Sequence, residues 1–194
     1  LILQLISADS TARGVAKNQP SKLAAMEGIY VTEPRTPITI LGWTDDAAKK
    51  VRGIKIPGLL SFLVFHDFNT PVAGFDQIPK DERPPIQVVF QSYHMMIAMW
   101  SLMALLIILA CIQYRRKKLT HSKWILRGLV VSVIFPQIAN FSGWMTAEVG
   151  RQPWIVYGIL KTVDGISTNI HREQVFFSII MFLVIYALLF TLFI

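Results

Sequence analysis

The chain has 194 residues, of which 53% are hydrophobic and 16% are charged. Because about a quarter of the residues in soluble domains are charged, this composition excludes an ordinary water-soluble enzyme. A net charge of +7 would suit a nucleic-acid-binding protein, so the position of the basic residues along the chain decides what the charge indicates.

The positive charge is concentrated in one short segment. Residues 1–90 hold ten basic and nine acidic residues, whereas residues 113–127 hold six basic residues and no acidic one. This basic segment lies between two apolar runs, where the positive-inside rule places cytoplasmic charge. We therefore expect residues 113–127 to be cytoplasmic, and the charge requires no nucleic-acid partner.

The first ninety residues divide into a short apolar start and a long polar segment. Residues 1–6 are predicted to be the end of a transmembrane helix that begins earlier in a longer protein. Residues 7–91 contain eight prolines, which leave room only for short elements. We predict a helix over residues 21–30, an apolar piece over residues 58–65 that packs on the membrane surface or on a neighbouring helix, and a turn at residues 69–71.

Two charged residues, Lys22 and Glu27, lie near the ends of the predicted helix 21–30. A separation of five residues puts them about 140° apart on a helix, so they do not form the usual i,i+4 ion pair. From the residues alone, two solvated surface charges and two members of a functional site both stay open.

Three later runs have the length and composition of membrane spans. They cover about residues 93–112, 128–148 and 175–194, and about 20 apolar residues cross a bilayer as a helix. With residues 113–127 inside, residues 7–91 and 149–173 lie outside. The predicted fold is therefore all-α: a polytopic transmembrane helical bundle with a long extracytoplasmic loop. The single cysteine, Cys111, lies in the first span and has no partner for a disulfide or a cysteine zinc site.

The second span carries a polar stripe. Its members follow at steps of three or four residues and therefore share one helical face: Gln137, Asn140, Trp144, Glu148 and Arg151. Such a stripe must face protein, water or a cofactor, and a polar seam between helices is the simpler alternative. Glu148 near the hydrocarbon edge favours a functional role, because an unpartnered carboxylate there costs about 3 kcal/mol.

The first span opens with the residues Tyr93-His94-Met95-Met96. Methionine and histidine are common axial ligands of haem iron in electron-transfer proteins. A methionine in an apolar helix more often serves only to fill space, so both interpretations stay open from the residues alone.

Three separated motifs resemble one family, subunit I of the cytochrome bd-type quinol oxidases. Residues 150–154 are Gly-Arg-Gln-Pro-Trp, the hallmark string of that family at the outer end of a span, and residues 22–27 resemble its Lys-Leu-Ala-Ala-x-Glu quinol-loop string. Residues 67–74 resemble a further stretch that runs from an Asp through Thr-Pro-Val to Gly. The resemblance covers essentially the whole chain, as the C-terminal half of a subunit of the short quinol-loop type.

The resemblance implies roles for the loop and the first span. Lys22 and Glu27 would bind and deprotonate quinol. Met96, or Met95 if the frame shifts by one residue, would be an axial ligand of the low-spin haem b. His94 stands where the family has an arginine and would hydrogen-bond a haem propionate.

The resemblance also implies roles at the end of the second span. Glu148 would ligate or neutralise iron, or pass a proton, at a pair of high-spin haems, and Trp144 would lie against these haems. Arg151 would compensate propionate charge, and Trp154 would pack on the edge of the macrocycle.

The function that follows from the resemblance is that of a terminal oxidase. Such a subunit oxidises quinol at the outer face of the bacterial cell membrane, reduces O2 to water through haems b558, b595 and d, and generates a proton-motive force. Its partners would be subunit II and membrane lipid, and a small single-span subunit stays open as a third partner. A permease subunit and a haem-free anchoring subunit are the alternatives, and ubiquinol and menaquinol are both open as the substrate.

Overall fold

The computed structural model describes residues 2–165 and 169–193. The chain divides into two units, and the boundary along the chain falls between Lys161 and Thr162. Leu1, residues 166–168 and Ile194, which belong to the expected segments 1–6, 149–173 and 175–194, lie outside the described residues. In the first unit the helices are α1 (Ile2–Asn18), α2 (Pro20–Glu27), α3 (Leu59–Phe65), α4 (Ile86–Arg115), α5 (Lys123–Val131) and α6 (Phe135–Val149). The second unit contains α7 (Arg172–Phe193).

Among the described residues, three helical stretches are long and apolar enough to cross a membrane. They are Lys80–Arg115, Lys123–Val149 and Arg172–Phe193, the second being α5 and α6 joined by a 3-10 turn at Ser132–Ile134. The helix α4 begins at Ile86, directly after Pro84 and Pro85, and not near residue 93. Its first two turns, residues 86–92, therefore lie outside the predicted span of residues 93–112 and contact the segment that precedes α4.

The prediction of an all-α fold is wrong in one respect, because the described residues also form two antiparallel β-hairpins. Strands β1 (Ile38–Asp45) and β2 (Lys50–Ile56) pair with Gly42 opposite Gly53, and the short strands β3 (Trp154–Val156) and β4 (Leu160–Lys161) form the second hairpin. The strands of the first hairpin are rich in β-branched side chains, and Asp45 and Asp46 stand at the turn between them.

Helix α1 continues to Asn18, well beyond the end expected at residue 6. Helix α2 starts with Pro20 in its first turn and ends at Glu27, because Gly28 adopts a left-handed conformation with φ 67°. A Cβ atom at Gly28 would stand 2.4 Å from Val51 Cγ2 of β2. Glycine is therefore required here both by the helix end and by the close approach of the hairpin.

The core of the first unit lies where the 7–91 segment packs against the first turns of α4. It consists of buried apolar side chains from α2, α3, the 72–78 segment and the first turns of α4: Leu23, Ala24, Ala25, Met26, Ile29, Leu60, Val64, Val72, Phe75, Ile78 and Val89. Val149 at the end of α6 packs against the same cluster. The core thus fixes α2 between the beginning of α4 and the end of α6.

Candidate functional site

Glu27 is a buried carboxyl at the junction of the loop and the first span. Its side chain is 3% exposed, and its Oε2 accepts a hydrogen bond from the Thr39 backbone N–H at 3.4 Å. The hydroxyl of Tyr93 on α4 also hydrogen-bonds this carboxyl. Burial raises the pKa of Glu27 to about 7, and the two hydrogen bonds oppose that rise. Glu27 is therefore no solvated surface charge, and its pKa suits proton transfer near neutral pH.

Lys22 points away from Glu27, as the five-residue separation predicts. Its Nζ atom donates to the carbonyl oxygen of Ala147 in α6 at 3.0 Å. Burial and the neighbouring Arg151 guanidinium lower the pKa of Lys22, while the Glu148 carboxylate raises it. The structure thus places Lys22 with the motif at the end of α6 and Glu27 with β1 and α4.

His94 connects the first span to the hairpin. Its Nδ1 lies 2.8 Å from the Phe90 carbonyl oxygen and its Nε2 lies 2.8 Å from the Thr39 carbonyl oxygen. Both ring nitrogens therefore face backbone carbonyl oxygens, and the hydrogen bond to a haem propionate that the resemblance implies stays a prediction. The Thr39 backbone contacts both side chains, with its N–H on Glu27 and its carbonyl oxygen on His94.

The two methionines have different surroundings. Met95 is 47% exposed on the surface of α4, whereas Met96 is half-buried and faces α6. A Cβ atom at Gly143 would stand 2.9 Å from Met96 Sδ, so the glycine leaves the space that this thioether uses. Of the two candidate haem ligands, Met96 is the one that faces another span.

The seam between α4 and α6 lies on a different face from the polar stripe. Ser92 and Thr146 share a hydrogen bond of 2.9 Å across this seam, and Thr146 and Ser142 are buried in it. The stripe members Gln137, Asn140, Trp144 and Glu148 are exposed on the described chain. The polar-seam alternative therefore does not hold for α4 and α6, and the stripe stays open to another component.

The end of α6 gathers the remaining predicted site residues. Arg151 pairs with Glu148 one turn earlier, and Trp154 at the start of β3 is buried beneath the Lys161 ammonium, 5.3 Å from its ring. The Arg151 Nε and Trp154 Nε1 atoms are buried and find no hydrogen-bond acceptor among the described residues.

These donors provide a test of whether a haem fits the end of α6. Buried N–H groups without an acceptor are costly unless a ligand supplies one. A haem propionate is a suitable acceptor for Arg151 Nε and Trp154 Nε1, and the exposed Glu148 carboxylate and Trp144 ring lie on the stripe of the same helix. The residues present fit the edge of a haem.

The sequence does not indicate that Thr39 belongs to the site, and it predicts Tyr93 only as the first residue of a span. Tyr93 is 66 positions from Glu27, and Thr39 reaches the site only because β1 runs along α4. Gln87 accepts from the Thr44 backbone at 3.1 Å, and Gln91 donates to the Gly42 carbonyl at 3.0 Å. No periodicity in the sequence indicates this pairing of a strand with a helix.

The whole chain, residues 1–194, matches a family model described as cytochrome bd terminal oxidase subunit I. The chain is 33% identical to cytochrome bd ubiquinol oxidase subunit 1 of Bacillus subtilis (strain 168) over 199 residues, which cover 95% of this chain and 42% of that protein. It is 28% identical to cytochrome bd-II ubiquinol oxidase subunit 1 of Escherichia coli (strain K12) over 247 residues, which cover 93% of this chain and 48% of that protein.

The fold is similar to that of the bd oxidase from Geobacillus thermodenitrificans, with a TM-score of 0.73 and 30% sequence identity. The match covers 96% of this chain and 44% of that chain. The chain thus spans less than half the length of these relatives. The Escherichia coli match extends over more positions than this chain has residues, so that relative carries insertions within the matched region.

Proposed function

The chain belongs to the cytochrome bd terminal oxidase subunit I family, and on this premise we propose that it oxidises quinol as part of the catalytic subunit of a terminal oxidase. The observation that carries the proposal is the buried Glu27 carboxyl near the start of α4. Burial raises the pKa of this carboxyl to about 7. The candidate haem ligand Met96 lies one helical turn further along α4 from Tyr93, the partner of Glu27.

In this proposal Glu27 takes the proton that a quinol hydroxyl loses on oxidation. An ionised carboxylate with a pKa near 7 is a suitable general base at neutral pH. The carboxylate is only 3% exposed, and in this proposal the Tyr93 hydroxyl, which hydrogen-bonds it, relays the proton. The Thr39 peptide holds the carboxylate in place from the other side.

Met96 would be an axial ligand of low-spin haem b558, with Met95 as the alternative. Glu148 and Trp144 would meet the high-spin haems b595 and d, and the unpaired N–H groups of Arg151 and Trp154 would bind propionate oxygens. Bound haem would supply the one-electron carriers that take reducing equivalents from quinol to O2. The stripe on α6, exposed in the described chain, supports this assignment because it offers these side chains to another component.

The membrane arrangement is part of the proposal. Residues 7–91 and 149–173 would lie outside and residues 113–127 in the cytoplasm, so that protons from quinol are released outside and generate a proton-motive force. The partners would be subunit II, a small single-span subunit and lipid. The similar structure from Geobacillus thermodenitrificans is that of a bd oxidase, which agrees with an oxidase as the setting.

An absorption spectrum of the purified, reduced complex tests the proposal. The oxidase assignment predicts b-type and d-type haem bands, together with O2 consumption driven by a short-chain ubiquinol or menaquinol. A permease subunit or a haem-free anchoring subunit predicts neither. A complex without these bands would overturn the proposal.

A further inference from the structure

The β1–β2 hairpin exposes one apolar face. Leu41 stands opposite Ile54 and Trp43 stands opposite Arg52, and residues opposite each other in an antiparallel pair point to the same face of the sheet. Ile56, two residues beyond Ile54, belongs to this face as well. We define the apolar hairpin face by its four large apolar side chains, which are 40–64% exposed on the described chain: Leu41, Trp43, Ile54 and Ile56. A cluster of exposed apolar side chains of this kind indicates an interaction surface.

Strand β1 runs along α4 toward the membrane. The Thr44 N–H donates to Gln87, in the first turn of α4, at 3.1 Å. The Thr39 carbonyl oxygen lies 2.8 Å from Nε2 of His94, about two helical turns further along α4. Because the span predicted from the sequence begins at about residue 93, the Thr39 end of β1 lies at the membrane boundary and the Thr44 end lies outside it. Leu41, two residues from Thr39, is therefore close to the level at which the acyl chains begin.

The charges of the hairpin lie further from the membrane than Leu41. A strand rises about 3.3 Å per residue, which puts Trp43 and its neighbour Arg52 about 7 Å from the level of Leu41. This distance falls within the headgroup layer of a bilayer, which is about 5–8 Å thick on each side. The turn at residues 45–50, with two aspartates and two exposed lysines, lies just beyond this layer. Arg52 contacts Asp45 at 3.3 Å, and its side chain is still 80% exposed.

This order of groups suits a lipid surface better than a protein surface. From the acyl boundary outward, the hairpin offers aliphatic side chains, then a tryptophan beside an arginine, and then lysines. Tryptophan is enriched at membrane–water interfaces, and basic residues near a membrane attract anionic headgroups. Lysine, in contrast, is depleted at protein–protein interfaces. Residues 49–55 hold four basic residues against two acidic ones at residues 45–46, so the charge of the hairpin complements an anionic lipid.

We propose that the β1–β2 hairpin docks on the lipid bilayer beside α4. The apolar hairpin face meets the ends of the acyl chains, and Arg52, Lys49 and Lys50 bind the phosphates of anionic phospholipids. The proposal requires only that α4 crosses the membrane, so it does not depend on haem or on quinol oxidation. Since β1 also contacts Glu27 through the Thr39 N–H, the lipid surface supports the strand that holds this carboxyl.

The first test places a nitroxide spin label on the hairpin of the intact complex in nanodiscs that contain phosphatidylglycerol. All native cysteines are replaced by serine. Ile54→Cys then carries the label on the apolar hairpin face, and Ala47→Cys carries it at the exposed turn as the matched control. Electron paramagnetic resonance measures collisions of each label with O2, which concentrates in lipid, and with a water-soluble nickel chelate. If Ile54→Cys does not assemble, Ile56→Cys on the same face takes its place.

We expect the ratio of O2 collisions to nickel collisions to be several-fold higher at Ile54→Cys than at Ala47→Cys. Equal nickel access at the two positions would mean that the face lies in water. Low access of both reagents to Ile54→Cys would mean that protein covers the face, either another part of the subunit or a partner. Either of these two results would overturn the proposal.

A second measurement tests the choice of an anionic headgroup. A fluorophore on Leu41→Cys reports nearby lipid in mixed nanodiscs, where brominated phosphatidylglycerol should quench it more strongly than brominated phosphatidylcholine at the same mole fraction. The combined substitutions Lys49→Gln, Lys50→Gln and Arg52→Gln should abolish this preference. Lys17→Gln, at an exposed lysine near the end of α1, should retain it. Equal quenching by the two lipids with the basic residues in place, or a preference that survives their removal, would contradict binding of anionic phosphates.

Discussion

Glu27 and Lys22 show how burial separates two residues that share one sequence motif. Glu27 is enclosed by β1 and α4, and desolvation favours its neutral form. Lys22 is half-buried against the end of α6 and keeps a carbonyl acceptor for its ammonium. The same eight-residue helix, α2, therefore contacts the end of α6 on one face and β1 with α4 on another.

The raised pKa of Glu27 predicts the pH dependence of quinol oxidation. The base form of Glu27 dominates only above a pH of about 7, so activity should rise with pH through that value. Glu27→Gln keeps the shape but cannot accept a proton, and we expect it to lower kcat/KM by about a hundredfold or more and to abolish the rise. The measurement is the pH profile of quinol-driven O2 consumption, with the haem spectrum recorded in parallel.

Glu33→Gln is the control for this prediction, because Glu33 is an exposed carboxylate of the same segment. It should leave the profile unchanged. Retention of the full pH-dependent rise in Glu27→Gln, or loss of haem in place of activity, would contradict the role given to Glu27.

The surroundings of the two methionines predict different outcomes for their replacement. Met96→Leu should remove the low-spin haem band, because leucine offers no sulfur to iron. Met95→Leu should keep the band, since Met95 lies on the exposed surface of α4. Reduced-minus-oxidised difference spectra decide between them, and the reverse result would make Met95 the ligand. A normal band in both variants would mean that neither methionine binds the iron.

At the scale of elements, the β1–β2 hairpin is the part that completes the site around Glu27. It presents the Thr39 peptide to Glu27 and His94, and it packs Val51 against the end of α2 at Gly28. The position of the hairpin therefore depends on the left-handed turn that ends α2.

Gly28→Ala tests this dependence. A Cβ atom at Gly28 would both oppose the positive φ and collide with Val51 Cγ2, so we expect a loss of stability of at least about 1 kcal/mol. The midpoint of thermal unfolding of the complex should fall, and quinol oxidation should fall with it. Gly14→Ala is the matched control: Gly14 lies inside α1 with open space around its Cα, and alanine there should stabilise the helix by about 1 kcal/mol. A Gly28→Ala complex as stable as the wild type would show that the turn tolerates a side chain.

At the scale of the whole molecule, the chain combines three helical stretches of membrane-spanning length with one basic segment between the first two. The family assignment and these helices identify a bacterial membrane protein. The charge distribution predicts which side each connection occupies, because basic loops are retained in the cytoplasm.

Cysteine labelling on intact cells tests the predicted orientation. In a Cys111→Ser background, which removes the single native cysteine, Ala47→Cys lies at the exposed tip of the first hairpin and Thr120→Cys lies in the basic segment. A membrane-impermeant maleimide should label Ala47→Cys on intact cells and Thr120→Cys only after lysis. Labelling of Thr120→Cys alone on intact cells would reverse the topology.

The sequence by itself determined the membrane class, the three spans, the family and the separation of Lys22 from Glu27 around a helix. The family follows from the resemblance of three motifs, and the other properties follow from composition, from charge along the chain and from the period of a helix, all of which are local. Only the tertiary structure decided that Glu27 is buried, that Tyr93, Thr39 and His94 surround the same point, and that Lys22 ends on α6. The physical reason is that burial and its effect on a pKa depend on neighbours far away in the chain, as when β1 lies along α4 and the core fixes α2 between α4 and α6.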